Sequence, residues 1–234
     1  MSTGDDSMEA STEVGATPCG PRTVLFDFDG VIFRGDAFSV FVRERYAGTF
    51  FRRLLLLPAL PWMLLTWPIS WRIPVRTLVH VALLGFSDKR YAATARAFGA
   101  NLVRRPNQFH RDALQALRRH QAEGDRVVVV TGCELHVVTS ILTELGLPDV
   151  EVLASEFRPG LLGMRVKLHN IGRRKVQKLH AAGIKEWHLA YSDSFADIPM
   201  LKPAAEAVLV NGTPKLCKKI ERALGRTVSR VDWY

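Results

Sequence analysis

The sequence has few of the residues from which disulfide scaffolds or zinc sites are built. Its three cysteines, Cys19, Cys133 and Cys217, stand far apart, no CxxC pair occurs, and the histidines are scattered. We therefore expect neither a disulfide framework nor a structural zinc site, and free thiols fit a reducing cytosol.

The N-terminus also lacks the basic start and apolar run of a secretory signal peptide. Residues 1–20 are rich in Ser, Thr, Gly and acidic side chains instead. A segment of that composition cannot bury enough apolar surface to offset the entropy of ordering. We predict that it forms a disordered tail.

Acidic residues are the third shortage. The chain has 23 Asp and Glu against 32 Lys and Arg, which gives a formal net charge of +9. This excess favours anionic partners: nucleic acid, an anionic membrane face or a phosphorylated substrate. No basic motif interleaved with aromatic residues is visible, so we do not expect nucleic-acid binding.

What the sequence does contain is an alternation of strands and helices. Residues 23–27 and 126–131 are short apolar runs typical of buried strands, and weaker strands are predicted at 150–154, 187–191 and 207–210. Helical patterns near 112–121, 136–145 and 174–182 separate them. The alternation predicts an α/β fold with a doubly wound parallel, Rossmann-like sheet. Residues 156–168, with their Pro and Gly, are predicted to form a hairpin.

Between the first two strong strands lies a segment far longer than one crossover helix requires. We predict a catalytic core formed by residues 21–36 and 118–234, and a helical cap formed by residues 37–117.

Asp27-Phe28-Asp29-Gly30 directly follows the first strand. Two carboxylates one residue apart can divide the work of phosphate transfer: one attacks phosphorus, and the other protonates the leaving oxygen and then activates water. Gly30 allows a sharp turn beside them.

Thr131-Gly132 ends the second strand, where a hydroxyl and backbone N–H groups suit a phosphoryl oxygen. The simpler interpretation is that Thr131 only caps the following helix. Lys175, near the start of a later helix, can neutralise a phosphoryl group and crowded carboxylates; it can equally belong to a solvated basic face, with Arg173, Arg174 and Lys178.

Tyr191-Ser192-Asp193-Ser194 follows the strand at 187–191, and Asp197 lies one helical turn later. Asp193 is placed to complete a Mg²⁺ site with Asp27 and the carbonyl of Asp29, since Mg²⁺ prefers oxygen ligands. Asp197 can orient Lys175 or a metal-bound water. All these residues lie at the carboxyl ends of strands, where doubly wound sheets bind ligands.

In this order, the four motifs resemble those of the haloacid dehalogenase superfamily of phosphohydrolases: DxDG, a strand ending in Thr or Ser, a Lys and DxxxD. The resemblance implies that Asp27 is the nucleophile that forms an aspartyl-phosphate and that Asp29 is the general acid/base. Thr131, Gly132 and Lys175 would then bind phosphate.

The same resemblance implies Mg²⁺ as cofactor, held by Asp27, Asp29 and Asp193, with Asp197 as a supporting carboxylate. It places a helical cap between the first and second motifs, as in the phosphoserine phosphatase-like branch. Asp36 matches an acidic position that commonly faces the substrate in that branch.

Within the branch, the chain resembles the phosphatidylglycerophosphatase C family. The likeness lies in the Asp36-x-Phe38 step, the Leu/Pro/Trp-rich segment, the Gly85-Phe86-Ser87 turn and the form of the fourth motif. It implies hydrolysis of phosphatidylglycerol phosphate to phosphatidylglycerol. The alternatives are a phosphatase of a soluble metabolite such as phosphoserine, and a non-catalytic membrane-binding protein on the same fold.

Residues 54–71 carry no charge and approach the length of a membrane span. A single crossing would separate Asp27 from Asp193 across the bilayer, and Pro58, Pro61 and Pro68 break a continuous helix. We expect a monotopic or re-entrant segment at the cytoplasmic face of the bacterial inner membrane. Its flanking arginines, Arg52, Arg53, Arg72 and Arg76, would contact anionic phosphates. In the alternative, a cytoplasmic protein, the segment is a buried helix pair; a double crossing is also open.

Overall fold

The computed structural model describes residues 21–48 and 50–234, so the predicted tail lies outside the described residues. These residues contain a seven-stranded sheet in the order β4-β3-β2-β1-β5-β6-β7. The strands are β1 (Thr23–Phe26), β2 (Arg126–Glu134), β3 (Glu151–Gly160), β4 (Gly163–Leu168), β5 (Leu189–Ser192), β6 (Glu206–Val210) and β7 (Ser229–Val231).

Helices connect the strands on both faces of the sheet. They are α1 (Ala37–Ala47), α2 (Phe50–Leu54), α3 (Leu60–Thr66), α4 (Arg72–Ala82), α5 (Asp88–Val103), α6 (Arg111–Ala122), α7 (Leu135–Glu144), α8 (Arg173–Ala181), α9 (Ile198–Leu201) and α10 (Pro214–Leu224). A 3₁₀ turn at Phe195–Asp197 precedes α9.

The sheet is parallel except for the β3–β4 pair, which is antiparallel. Its middle strands are covered on both faces, and Val24–Phe26 and Val128–Val130 have no exposed surface. Parallel strands buried on both faces consist of continuous apolar runs, which explains why β1 and β2 stand out in the sequence. The predicted doubly wound α/β fold is confirmed.

The predicted hairpin at 156–168 is also present, although its first strand continues directly from the parallel part of β3. The short edge strand β7 was not predicted. It has three residues, two of them exposed, and so carries no apolar signal.

The residues between β1 and β2, from Ala37 to Ala122, are called the insert below. Within it, α5 packs along α7 of the sheet region. Gly99 makes this possible, because a Cβ atom there would lie 2.9 Å from Cβ of Ser140 and 3.1 Å from the backbone nitrogen of Ile141. Phe41 of α1 packs edge-to-face on Tyr91 and Phe98 of α5. The insert thus shares one apolar core with the sheet.

Prolines divide the apolar part of the insert, as their positions in the sequence predict. Pro61 lies in the first turn of α3, which has only seven residues. In the described ranges, 21–48 and 50–234, no helix combines the length and apolar character needed to cross a bilayer.

Arg52 and Arg53, which are predicted from the sequence to contact anionic phosphates, make hydrogen bonds within the chain. Arg52 donates to the carbonyl of Ala82 and lies over the ring of Phe86. Arg53 donates to the carbonyls of Tyr46 and Ala47 at the end of α1. Both arginines satisfy carbonyls that the ends of α1 and α4 leave without helical partners.

Gly99→Val should separate α5 from α7 and lower the free energy of unfolding by about 1–3 kcal/mol, as overpacking of a close contact usually does. Chemical denaturation provides the measurement. Ala97→Val, on the exposed side of the same helix, should cost only the difference in helix propensity, about 0.5 kcal/mol. Equal losses for the two variants would contradict a close contact at Gly99.

Candidate active site

Asp27 lies just beyond β1, at the centre of the sheet's carboxyl edge. Its backbone N–H donates to the carbonyl of Tyr191 on β5 at 3.0 Å, which continues the ladder by one residue. Its Oδ1 accepts the N–H of Phe28 at 2.7 Å. The side chain is therefore held in place, and only 6% of the residue is exposed.

Lys175 connects Asp27 with Asp197. Its Nζ lies 2.9 Å from Oδ2 of Asp27 and 2.8 Å from Oδ2 of Asp197, and Ser192 donates to the same Asp197 oxygen at 2.8 Å. Lys175 is buried. Burial lowers its pKa, but attraction to the two carboxylates outweighs burial and the pKa is raised. The solvated-face interpretation of Lys175 is therefore wrong: α8 turns it inward.

The two carboxylates of this group differ. Burial raises the pKa of Asp27 well above its usual range, and Lys175 offsets only part of that effect. Burial also acts against ionised Asp197, yet attraction to Lys175 and the surrounding hydrogen bonds hold its pKa below the ordinary value. Asp197 is thus the fixed counter-ion of Lys175.

Asp29 is tied to the insert. Its Oδ1 accepts the N–H of Ala37, the first residue of α1, at 2.8 Å. Burial raises the pKa of Asp29 to about 7, although the bond from Ala37 acts in the opposite direction. A carboxyl group with this pKa can both donate and accept a proton near neutral pH.

Asp193 lies against the turn at Gly30, which has a φ of +76°. A Cβ atom at this position would lie 1.9 Å from Oδ2 of Asp193, so any larger residue would displace the Asp193 side chain as well as strain the backbone. Burial and the charge of Asp197 raise the pKa of Asp193.

The site has a surplus of negative charge. Asp27, Asp29, Asp193 and Asp197 surround a single buried cation, Lys175, and burial raises the pKa of three of the four. All four carboxylates line the same cavity, and carboxylate oxygens are the ligands that Mg²⁺ prefers, so the donor set fits Mg²⁺.

Thr131 and Gly132 lie within β2, which continues to Glu134 instead of ending at residue 131 as predicted, and the capping interpretation of Thr131 is wrong. The N-cap of α7 is Glu134, which accepts the N–H of Val137. The hydroxyl of Thr131 is buried and accepts the N–H of Cys133 at 3.0 Å. Gly132 and Asp27 line the cavity, whereas Thr131 is fully buried and is not among the residues that line it.

Sequence reasoning missed the side chains that hold this bulged strand end. Ser155 donates to the carbonyl of Gly132 at 2.6 Å, and the buried amide of Asn170 donates to the carbonyl of Thr131 at 3.2 Å. They replace ladder bonds lost where the β2–β3 register shifts. Ser155 lies in the middle of β3 and Asn170 in the loop after β4, so no motif in the sequence marks them.

Glu134 was also missed, although it lines the cavity. It accepts a hydrogen bond from Tyr91 of the insert at 2.8 Å. Asp36, predicted to face the substrate, lines the same cavity but also caps α1 by accepting the N–H and hydroxyl of Ser39, each at 2.8 Å.

The cavity has a volume of about 1070 Å³. Residues from α1, α4 and the β3–β4 hairpin line it, together with Asp27, Asp29, Asp193 and Asp197. Two arginines line it, Arg43 and Arg76, and both are exposed. Neither lies within ion-pair distance of a carboxylate in the described part of the chain.

Another group of metal-capable side chains, His120, Glu123 and Asp125, lies at the opposite edge of the sheet, where β2 begins. Arg22 already binds both carboxylates at 2.8 Å, and His120 Nδ1 lies 2.8 Å from Asp125. Internal partners therefore account for this group.

Residues 24–202 match the family model described as haloacid dehalogenase-like hydrolase. The chain belongs to this family. The hydrolase fold continues beyond the matched region through β6, α10 and β7.

Solved structures share the fold at low identity. A Bordetella pertussis protein described as of unknown function has a TM-score of 0.67 at 20% identity, over 90% of this chain and 99% of its own. A haloacid dehalogenase family hydrolase from Salmonella enterica has a TM-score of 0.61 at 15% identity, over 92% and 70%. A phosphoserine phosphatase described as a phospho-aspartyl intermediate analogue has a TM-score of 0.54 at 16% identity, over 91% and 95%.

Asp29→Asn should stabilise the metal-free protein at pH 8 but not at pH 4. The folded state holds the Asp29 proton up to a pKa of about 7, against a pKa of about 3.9 for an aspartate in an unfolded chain. Wild-type stability therefore falls as pH rises from about 4 to about 7, by at most about 4 kcal/mol for this group. Asparagine does not ionise, so the free energy of unfolding of the variant lacks this pH-dependent decrease.

Thermal unfolding in the presence of a chelator, at both pH values, measures the effect. Asp112→Asn is a control, because this carboxylate lies at the surface, where it accepts the N–H of Tyr234. A stability difference between Asp29→Asn and wild type that does not change with pH would contradict the burial of an ionising carboxyl.

Proposed function

We propose that the protein is a Mg²⁺-dependent phosphomonoester hydrolase in which Asp27 forms an aspartyl-phosphate. The observation that carries the proposal is the buried Lys175, paired with Asp27 on one side and with Asp197 on the other. This arrangement holds an attacking carboxylate beside a fixed positive charge, as phosphoryl transfer requires.

In the proposed reaction, a carboxylate oxygen of Asp27 bonds to phosphorus as the ester P–O bond breaks. Asp29 gives its proton to the leaving oxygen, then removes a proton from water as the water attacks the aspartyl-phosphate and restores Asp27. Lys175 and the N–H groups near Gly132 neutralise the phosphoryl oxygens. Mg²⁺, held by Asp27, Asp193 and the carbonyl of Asp29, would supply further charge stabilisation.

Asp27→Asn should lower Mg²⁺-dependent phosphate release by about 1000-fold or more, because the amide cannot act as the nucleophile. Phosphate release from a panel of phosphomonoesters, with and without chelator, provides the measurement. Asp112→Asn serves as the matched control and should retain wild-type turnover. The mechanism is wrong if Asp27→Asn retains full turnover.

For the substrate, we propose a lipid phosphomonoester, specifically phosphatidylglycerol phosphate, hydrolysed at the cytoplasmic face of the inner membrane. Support comes from the apolar insert surface, a set of exposed side chains in α2, α3 and the adjoining turns. Its members are Phe50, Phe51, Leu54, Leu57, Leu60, Trp62, Leu64, Leu65, Trp67, Ile69 and Trp71. An exposed apolar patch rich in tryptophan is typical of a membrane-contact surface.

Arg43 and Arg76 support the same substrate. Phosphatidylglycerol phosphate carries a phosphodiester besides its terminal phosphate, and these two arginines line the cavity with no carboxylate partner in the described ranges. The phosphodiester of this lipid would be an anionic partner for the two arginines.

A soluble metabolite such as phosphoserine is the second candidate. The fold similarity to a phosphoserine phosphatase favours it, as does Asp36, whose carboxylate lines the cavity and suits a cationic amine. Hydrolysis of phosphatidylglycerol phosphate in mixed micelles, with phosphatidate and phosphoserine as competitors, separates the two. A preference for phosphoserine would overturn the lipid assignment and leave the mechanism standing.

Leu64→Glu with Leu65→Glu should reduce binding to vesicles containing phosphatidylglycerol by about tenfold or more, because charges would replace two exposed leucines of the apolar insert surface. Vesicle co-sedimentation measures binding. Leu161→Glu with Leu162→Glu, two exposed leucines at the β3–β4 hairpin tip, is the matched control. Equal binding by both double variants would argue against a membrane contact centred on α3.

A further inference from the structure

Two helices of the insert present apolar stripes to the same cavity. Phe38, Val42 and Tyr46 on α1 recur at intervals of four residues and therefore share one helix face. Trp71 precedes α4, and Val75 and Val79 continue its stripe at the same interval. We call the space between these two stripes the α1–α4 slot.

α1 and α4 contact each other at one end of the slot, and the rest of the slot is part of the cavity. The hydroxyl of Tyr46 donates to the carbonyl of Leu78 at 2.5 Å, which joins the two helices near the C-terminal end of α1. Facing apolar stripes normally pack together and exclude water. Here the two stripes form part of the wall of a cavity that also contains the carboxylates; its whole volume, about 1070 Å³, slightly exceeds the usual range of ligand pockets, about 300–1000 Å³.

The slot also connects two places already described. Ala37, which begins α1, donates to Asp29, so the slot starts beside the reacting carboxylates. Trp71, which lines the cavity, is 59% exposed and belongs to the apolar insert surface. One continuous space therefore runs from Asp27 to the surface proposed to contact lipid.

We propose that the α1–α4 slot binds the hydrocarbon part of the leaving group, the alcohol that is released when the phosphate ester is cleaved. The inference rests on the proposed function, because it requires a phosphomonoester at Asp27. Polar metabolites gain nothing from the six side chains that form the slot, whereas an alkyl chain gains free energy for each methylene that it buries.

The test uses ethyl, butyl, hexyl and octyl phosphate as monomers in solution, so that no membrane surface contributes. For the wild-type enzyme, kcat/KM should rise about two- to fourfold for each added methylene that enters the slot. Val79→Phe, which fills part of the slot, should reduce the octyl-to-ethyl ratio of kcat/KM by about tenfold or more.

Val40→Phe is the matched control. Val40 lies on α1, is half-buried like Val79 and does not line the cavity, so its octyl-to-ethyl ratio should equal that of the wild type. Calorimetric binding of ethylphosphonate and octylphosphonate provides a second measurement that does not depend on turnover, and it should show the same chain-length preference.

The outcomes separate the slot from the proposed function. The proposed role of the slot is wrong if neither kcat/KM nor phosphonate affinity changes with chain length. It is also wrong if Val79→Phe keeps the wild-type octyl-to-ethyl ratio of kcat/KM. Preference for octylphosphonate without any phosphate release would contradict the proposed hydrolase activity but support binding of a hydrocarbon chain in the slot. Octyl preference with no turnover of phosphatidylglycerol phosphate would remove only that lipid as the substrate.

Discussion

The buried charge of Lys175 is the constraint on which the rest of the site depends. An ammonium group in an apolar interior is stable only when carboxylates surround it, and removal of one partner leaves an uncompensated charge. Asp27 follows β1, Asp197 follows β5 and Lys175 is on α8, so the group forms only when the parallel sheet has assembled. The charged group of the site therefore forms only in the folded protein.

Much of this could be predicted because its signals are local. β1 and β2 are uninterrupted apolar runs, and the residues at their ends, Asp27 and Thr131, lie where parallel strands place ligand-binding groups. The contacts that hold those ends are not local. Ser155 and Asn170 reach Gly132 and Thr131 from across a register shift, and no spacing in the sequence reveals such a pairing.

The roles of the arginines in the insert were less predictable, because an arginine that binds backbone carbonyls and one that lines a cavity look alike in the sequence. Arg52 and Arg53 flank an uncharged segment as lipid-facing arginines would, yet they bind backbone carbonyls of their own chain. Arg43 and Arg76 line the cavity instead. Only the three-dimensional positions of the helix ends distinguish these cases, since an unsatisfied carbonyl attracts a guanidinium as a phosphate does.

The hydrogen bond from Ala37 to Asp29 connects α1, a wall of the cavity, with a carboxyl group whose pKa is shifted. Burial raises the pKa of the Asp29 carboxyl and the N–H of Ala37 lowers it, so a displacement of α1 changes both contributions to the proton affinity of Asp29. The same helix carries Phe38, Val42 and Tyr46 along the cavity. The position of this wall and the proton affinity of the Asp29 carboxyl are therefore coupled, so a ligand that shifts the wall also shifts the pKa of Asp29.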